Sequence, residues 1–164
     1  MSSIGKALFA CLLVIACASP VRAQTIAANL FAGAGAFLCC GGAADAWQMG
    51  LGADFPVTPR FSVGGDFGVV GSSGGNRVSG SSRFFSIDGL YHVGSRQSAA
   101  PFFVSGGLGV VTSRDVATGG LFFGGGFDWW ARPRRGLRIE LRDQLFEEYG
   151  TTHLVTVRAA WMFR

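Results

Sequence analysis

The sequence predicts an all-β protein: an eight-stranded antiparallel up-and-down barrel that spans a membrane, preceded by an N-terminal signal peptide. Three observations lead to this prediction. Apolar residues recur at every second position in one segment after another, which is the period of a β-strand. Hydrophobic residues make up 49% of the 164 residues and charged residues only 15%, with 26 Gly in the chain. No apolar run reaches the roughly 18 residues that a membrane-spanning helix needs.

The first element is the signal peptide, residues 1–23. Lys6 supplies a positive charge, and residues 7–16 (ALFACLLVIA) form an apolar stretch that is too short to span a bilayer. The segment Val21-Arg22-Ala23 places small or compact residues where a signal peptidase reads, so cleavage is predicted before Gln24. A competing lipoprotein-like site would attach a lipid to Cys17. The mature domain is therefore predicted to cover residues 24–164.

The mature composition excludes several classes of function. Twelve Arg face ten acidic residues after residue 23, and this small, scattered excess does not indicate a nucleic-acid-binding protein. Only Cys39 and Cys40 remain, adjacent to each other, which is neither a disulfide framework nor a metal-ligand pattern. They form either a vicinal disulfide or two thiols in a loop. We predict no metal site and no cofactor.

The strands follow in order along the mature chain. In residues 47–55 the apolar side chains of Trp47, Met49, Leu51, Ala53 and Phe55 alternate with Gln, Gly and Asp. A helix would scatter these residues around its axis, and each Gly within it would cost about 1 kcal/mol. The same alternation, blurred by alanine in the first run, predicts strands of about 9–12 residues at 26–38, 61–69, 85–93, 102–110, 123–130, 137–144 and 153–163.

The connections between these strands alternate in character. Tight turns are predicted near 56–60, 94–100 and 132–136, where Pro and Arg concentrate. Looser loops are predicted near 39–46, 71–82, 112–119 and 147–152. One end of the barrel is therefore expected to differ from the other.

The residue sizes on the two faces favour a membrane over water as the surroundings of the barrel. The apolar faces carry bulky side chains, whereas the opposite faces are rich in Gly and Asp and have too little charge to coat a soluble protein. Aromatic residues near the strand ends are predicted to form girdles at both membrane interfaces: Trp47, Phe55, Phe61, Tyr91, Trp129, Trp161 and Phe163.

The final strand, 153–163, has apolar residues at every second position and an aromatic almost at the chain end. Together with segments 102–110 and 124–134, it resembles the small bacterial outer-membrane β-barrel family, which includes the OmpA-type transmembrane domain and OmpX-like proteins. The resemblance implies contact with outer-membrane lipid, a monomer, and periplasmic termini and short turns. It also implies that Trp161 and Phe163 signal to the barrel assembly machinery, although Arg164 follows the final aromatic.

The predicted lumen is lined by charged residues of both signs. An eight-stranded barrel is just wide enough for side chains to fill it, and buried charges persist when they are paired. Arginines from the last two strands are expected to cross Gly-lined walls to carboxylates opposite, forming a structural plug; the alternative is a narrow polar pore. The residues of this network are Asp54, Asp66, Asp88, Asp128, Arg138, Glu140, Arg142 and Arg158.

Enzymes are known on this scaffold, and lipid A deacylases of this shape use His, Ser and an acid near the outer rim. His92 and Ser95 lack their His-x-Ser-Asn order and lie at the predicted periplasmic end. His153, with Thr156 and with Glu147 and Glu148 nearby, has a generic spacing. We therefore predict a non-enzymatic structural or surface-interaction protein of the outer membrane. The alternatives are a narrow channel for small solutes and a soluble periplasmic ligand-binding barrel.

Overall fold

The structure, a computed structural model, describes residues 26–39, 42–72, 81–93, 101–113, 116–147 and 151–164. The predicted signal peptide, with Cys17, lies outside these ranges, as do Cys40, Ser95 and Glu148. Within the described ranges, no helix is long and apolar enough to cross a membrane.

Eight antiparallel strands close into a barrel, so the predicted fold class is confirmed. Each strand pairs with its neighbours in sequence, and the first strand pairs with the last. The strands are β1 (Ala27–Cys39), β2 (Gly42–Pro56), β3 (Phe61–Ser72), β4 (Ser81–Val93), β5 (Phe102–Ser113), β6 (Val116–Arg132), β7 (Arg135–Glu147) and β8 (Thr151–Phe163).

The barrel has two ends that we name by what they contain. The terminal end holds the first described residue, Ile26, the C-terminal Arg164, the connection 57–60 and the turn at Pro133 and Arg134. The loop end is the opposite end, where β1 leads to β2, β3 to β4, β5 to β6 and β7 to β8.

The alternation of side chains places many polar and charged residues in the lumen and large apolar residues on the outer surface of the barrel. Along β8, Leu154, Thr156 and Arg158 are buried in the lumen, whereas Val157 and Trp161 are at least half exposed on the outside. Leu51, Ile87 and Leu108 are likewise more than half exposed on other strands. Because a soluble protein rarely exposes such a large continuous apolar surface, the exterior is suited to lipid.

The strands are longer than predicted. The predicted bounds of the looser loops were wrong, because several of their residues belong to strands. The strands have 12 to 17 residues, and they include 42–46, 71–72, 81–82, 112–113, 116–119 and 151–152, which the sequence assigned to loops. A strand of 13 residues is roughly 43 Å long at about 3.3 Å per residue. When the strand is tilted by about 40°, its length along the barrel axis still exceeds the apolar band of roughly 25 Å that is typical of membrane barrels. The ends of the strand therefore need no apolar alternation.

The loop-end half of the lumen contains an apolar cluster. Phe84, Val70, Phe146 and Leu154 are buried there, and Phe37 and Val111 pack against them. The sequence predicted a lumen lined by charged residues and glycine, and it did not predict this apolar cluster. Phe84 and Phe146 lie just outside the predicted strands 85–93 and 137–144. The alternation was not extended to them, so their inward orientation was not predicted.

Candidate functional site

The candidate site is the charged middle of the lumen. All eight residues predicted for the lumen network are buried, with between 2% and 6% of their surface exposed. They come from six strands, β2, β3, β4, β6, β7 and β8, and each occupies an inward position in the alternation of its strand. The structure brings them together in two groups of ion pairs.

The first group surrounds Arg138, nearer the terminal end. Its guanidinium donates to both carboxylate oxygens of Asp128, with N···O distances of 2.7 and 3.1 Å. It also lies 2.9 Å from Asp54. His92, which is completely buried, lies with Nε2 3.3 Å from Asp128. Arg138 thus links carboxylates on β2 and β6 from its position on β7.

The second group contains two arginines. Arg142 lies 2.9 Å from Asp66, 3.0 Å from Glu140 and 3.4 Å from Asp88. Arg158 shares two of these partners, at 2.9 Å from Asp66 and 3.5 Å from Glu140. Asp66 therefore accepts from both guanidiniums, which ties β3 across the lumen to β7 and β8.

A phenylalanine ring lies against each of the three arginines, which the sequence reasoning did not predict. The guanidinium carbon is 4.7 Å from the ring centre in Arg138–Phe103, 4.2 Å in Arg142–Phe122 and 3.8 Å in Arg158–Phe31. Arginine stacks well on aromatic faces because its planar ion is weakly hydrated. The arginine planes are therefore fixed by rings as well as by carboxylates.

Three neutral side chains outside the predicted set make two further hydrogen bonds. Ser105 donates from its hydroxyl to Glu140 at 2.8 Å. Toward the loop end, the Gln48 amide donates to the Thr156 hydroxyl at 2.6 Å across β1. This contact is possible because Gly33 and Gly35 occupy the inward positions of β1 between them.

Glycine on the wall provides the space that these side chains fill. A Cβ atom added at Gly64 would collide with Oδ1 of Asp88 and would lie 2.7 Å from Oδ1 of Asp54. At Gly124 it would lie 2.7 Å from the Ser105 hydroxyl and 2.8 Å from Glu140. Glycine is thus needed on β3 and β6 for steric reasons.

Little space is left between the charged groups. A cavity of about 10 Å³ lies among Asn29, Ala160 and all the network residues except Asp128, and a single water needs roughly 10–15 Å³. The lumen network contains five carboxylates and three guanidiniums. Asp88 is the most weakly held carboxylate, since its nearest guanidinium nitrogen is 3.4 Å away, further than for the other four, and its Oδ1 has no hydrogen-bond partner among the described residues.

The aromatic residues predicted for the girdles lie on the outer surface but mostly at one end. Trp47 pairs with Ala34 and Gly71 in the loop-end half of the barrel. The other six lie near the terminal end, between 37% and 52% exposed. They are Phe55, Phe61, Tyr91, Trp129, Trp161 and Phe163, and we call them the terminal aromatic ring.

The two histidines considered for catalysis have different surroundings. His92 points into the lumen. His153 is on the outward-facing side of β8, and its Nδ1 lies 3.0 Å from Asp143 on β7, with both side chains 39% exposed. The position two residues after His153, where the deacylase pattern has serine, is Val155. The sequence suggested Glu147 and Glu148 as the acids near His153, and the contact with Asp143 was not predicted.

Comparisons with known proteins agree on the fold. No family model matches the chain, and no curated protein sequence matches it. Among solved structures, Neisserial surface protein A (NspA) superposes with a TM-score of 0.71 at 12% identity, covering 84% of this chain and 96% of that one. The N-terminal β-barrel domain of Pseudomonas aeruginosa OprF gives 0.59 at 15% identity, covering 84% and 96%. The outer membrane enzyme PagL gives 0.61 at 16%, covering 80% and 97%. The chain therefore has the fold of the small eight-stranded outer-membrane barrels.

Proposed function

We propose that this protein is a bacterial outer-membrane barrel with a structural or surface-interaction role, whose lumen is closed by its charged network. The observation that carries the proposal is the pairing of Arg138, Arg142 and Arg158 with carboxylates on β2, β3, β4, β6 and β7. The cavity left among these groups has a volume of only about 10 Å³. A solute-sized path through this network would require ion pairs to separate in a nearly dry interior. Breaking such pairs costs several kcal/mol.

The surroundings of the barrel support the membrane part of the proposal. The exterior is apolar and the interior charged, which is the pattern of transmembrane barrels. The similar structures include, by their names, a surface protein and an outer membrane enzyme. Export with cleavage before Gln24, and insertion with the terminal end in the periplasm, complete the proposal.

A narrow cation path is the competing function. The excess of carboxylates over guanidiniums in the lumen, and the weakly held Asp88, would favour cations over anions. The apolar cluster at the loop end argues against such a path, because Phe84, Phe146 and Leu154 would have to move to admit hydrated ions.

Single-channel recording in planar bilayers separates the two functions. We expect the wild-type protein to give no reproducible conductance steps, whereas the double variant R142A/R158A, which removes two side chains from the lumen, gives cation-selective steps. Arg83→Ala is the matched control, because Arg83 is exposed near the loop end. Stable steps from the wild type would overturn the closed lumen. A heat-dependent shift in electrophoresis verifies that each variant is folded.

The enzymatic alternative is tested separately. A His–acid pair on the outer face occurs here, but no serine follows at the required position. We expect no release of fatty acids from lipid A by the folded protein, with His153→Ala indistinguishable from the wild type. Release that His153→Ala abolishes would establish the enzyme instead.

A further inference from the structure

A groove of about 320 Å³ lies on the lipid-facing surface at the terminal end. Trp129 on β6, Leu137 on β7 and Trp161 on β8 form one row across three strands, since Leu137 pairs with both tryptophans. The two indole rings are 52% and 50% exposed. The smaller leucine between them forms the floor of the groove, and the rings form its walls.

An irregularity in β6 shapes one edge of this groove. The register between β6 and β7 shifts between Trp129 and Arg132. A bulge bends its strand and re-aims side chains. Here Trp130 is turned toward Gly136, where a Cβ would lie 2.9 Å from its ring, and the guanidinium of Arg164 stacks 3.5 Å from the ring centre. Trp130 is thus withdrawn from the groove that Trp129 lines.

Two positive charges face each other where the groove meets the turn. Arg132 and Arg135 are cross-strand partners, and both side chains are exposed and line the groove. Like charges directly opposite each other destabilise a sheet. No ion pair joins either guanidinium to an acid within the described ranges of the chain. An anion placed between them would remove this repulsion.

The charges at the terminal end favour a negatively charged partner as a whole. Its described connections and the strand ends beside them contribute Arg60, Arg132, Arg134 and Arg135 and no acidic side chain. The acidic side chains near this end, Asp54 and Asp128, are buried against Arg138. Among the described residues, the exposed charged side chains at the terminal end are therefore all positive, and these are the ones that a membrane surface would contact.

We propose that this groove is a binding site for an anionic glycerophospholipid. The phosphodiester lies between Arg132 and Arg135, where guanidinium groups suit phosphate oxygens. An acyl chain lies over Leu137 between Trp129 and Trp161. The inference rests on the proposed membrane insertion and adds to it a specific lipid contact at one point of the terminal aromatic ring.

Native mass spectrometry of the folded protein in detergent micelles tests this site. The probes are dioleoyl phosphatidylglycerol and dioleoyl phosphatidylcholine, which differ only in headgroup. We expect preferential retention of phosphatidylglycerol. R132Q/R135Q should weaken its binding by about tenfold or more, since each arginine near a membrane surface contributes about 1 kcal/mol. Leu137→Trp should weaken it by filling the groove without changing the charge.

Matched variants separate the groove from general charge and hydrophobicity. R60Q/R134Q removes two charges from the same end outside the groove, and Leu141→Trp makes the same substitution further along β7 on the lipid-facing side. Leu141→Trp should retain the wild-type preference, and R60Q/R134Q should lose clearly less of it than R132Q/R135Q does. An equal loss in R60Q/R134Q, no effect of Leu137→Trp, or full competition by chain-free glycerol 3-phosphate would each overturn the proposal.

The outcome also distinguishes this inference from the proposed function. A protein that gives a heat-modifiable folded band and inserts into vesicles, but shows no preference for phosphatidylglycerol, contradicts the lipid site alone. A protein that never gives this band and stays soluble without detergent contradicts the membrane barrel.

Discussion

Arg142 is the residue on which most of the second group of ion pairs depends. It contacts Asp66, Asp88 and Glu140 within 3.4 Å and stacks on Phe122. A lysine would lack the planar fork that reaches several carboxylates at once. Its neighbour Arg158 serves only two of the same carboxylates. The loss of Arg142 would therefore leave Asp88 without a cation among the described residues.

We expect Arg142→Met to lower the free energy of unfolding by about 3–5 kcal/mol, because removal of one partner leaves buried charges uncompensated. The measurement is urea unfolding in lipid vesicles, followed by tryptophan fluorescence. Arg60→Met, on an exposed turn, should change stability by less than about 0.5 kcal/mol. Equal effects of the two substitutions would contradict the role given to the network.

Glycine at position 64 is required by the carboxylates that it faces. Gly64→Ala should destabilise the barrel by about 1–3 kcal/mol, because its Cβ would displace Asp88 and Asp54 from their positions. Gly106→Ala is the control on the lipid-facing side, where the nearest atom to an added Cβ is 3.5 Å away. The same unfolding assay measures both. A neutral Gly64→Ala would mean that the lumen is looser than its packing indicates.

At the scale of the element, the sequence predicted the eight strands and their parity but not their length. The alternation of bulky apolar with small or polar side chains is regular only in a central band of each strand, as in β2 between Trp47 and Phe55. Beyond that band β2 continues to Gly42 through Ala43 and Ala44, whose small side chains gave no signal. Backbone pairing with β1 continues there, because the closed sheet still satisfies its hydrogen bonds.

The network could be predicted in its members but not in its pairing. Parity places Asp66 and Arg142 inside, since each alternates with an apolar neighbour. Which carboxylate meets which guanidinium depends on the stagger of the strands around the barrel, and a single sequence carries no record of it. The stacked ring of Phe31 was missed for another reason: alanine blurs the alternation of β1, so its inward parity was not evident.

The last strand carries a prediction about assembly. β8 closes the barrel against β1, where Phe163 pairs with Ala28. If Phe163 is read by the barrel assembly machinery, Phe163→Ala should lower the amount of protein in outer membranes several-fold while leaving refolding in detergent unchanged. Phe55→Ala, in the same terminal aromatic ring, should reach the membrane normally. Quantitative immunoblots of membrane fractions measure both, and equal loss would show that the ring rather than the strand end matters.

The whole molecule is organised by an inversion of polarity, in which apolar side chains face outward and three arginines cross the interior. In water this arrangement would expose an apolar belt, including Leu51, Ile87 and Leu108, to solvent. In a bilayer the same belt is the surface that holds the barrel in place, and the ion pairs are shielded from solvent by the wall. The polar rims at both ends then lie outside the hydrocarbon.

Arginine placed on the outer surface tests this inversion for the molecule as a whole. Leu108 lies at the middle of β5 and is 66% exposed, whereas Val93 lies at the terminal end of β4 and is 58% exposed. In a bilayer, Leu108→Arg should cost about 2–4 kcal/mol of stability and Val93→Arg about 0–1 kcal/mol, because the penalty depends on depth. Urea unfolding in vesicles of defined thickness measures the difference. Similar tolerance of both arginines, together with a soluble periplasmic species in cell fractions, would favour the soluble ligand-binding barrel, since exposed positions in water accept charge regardless of their height on the wall.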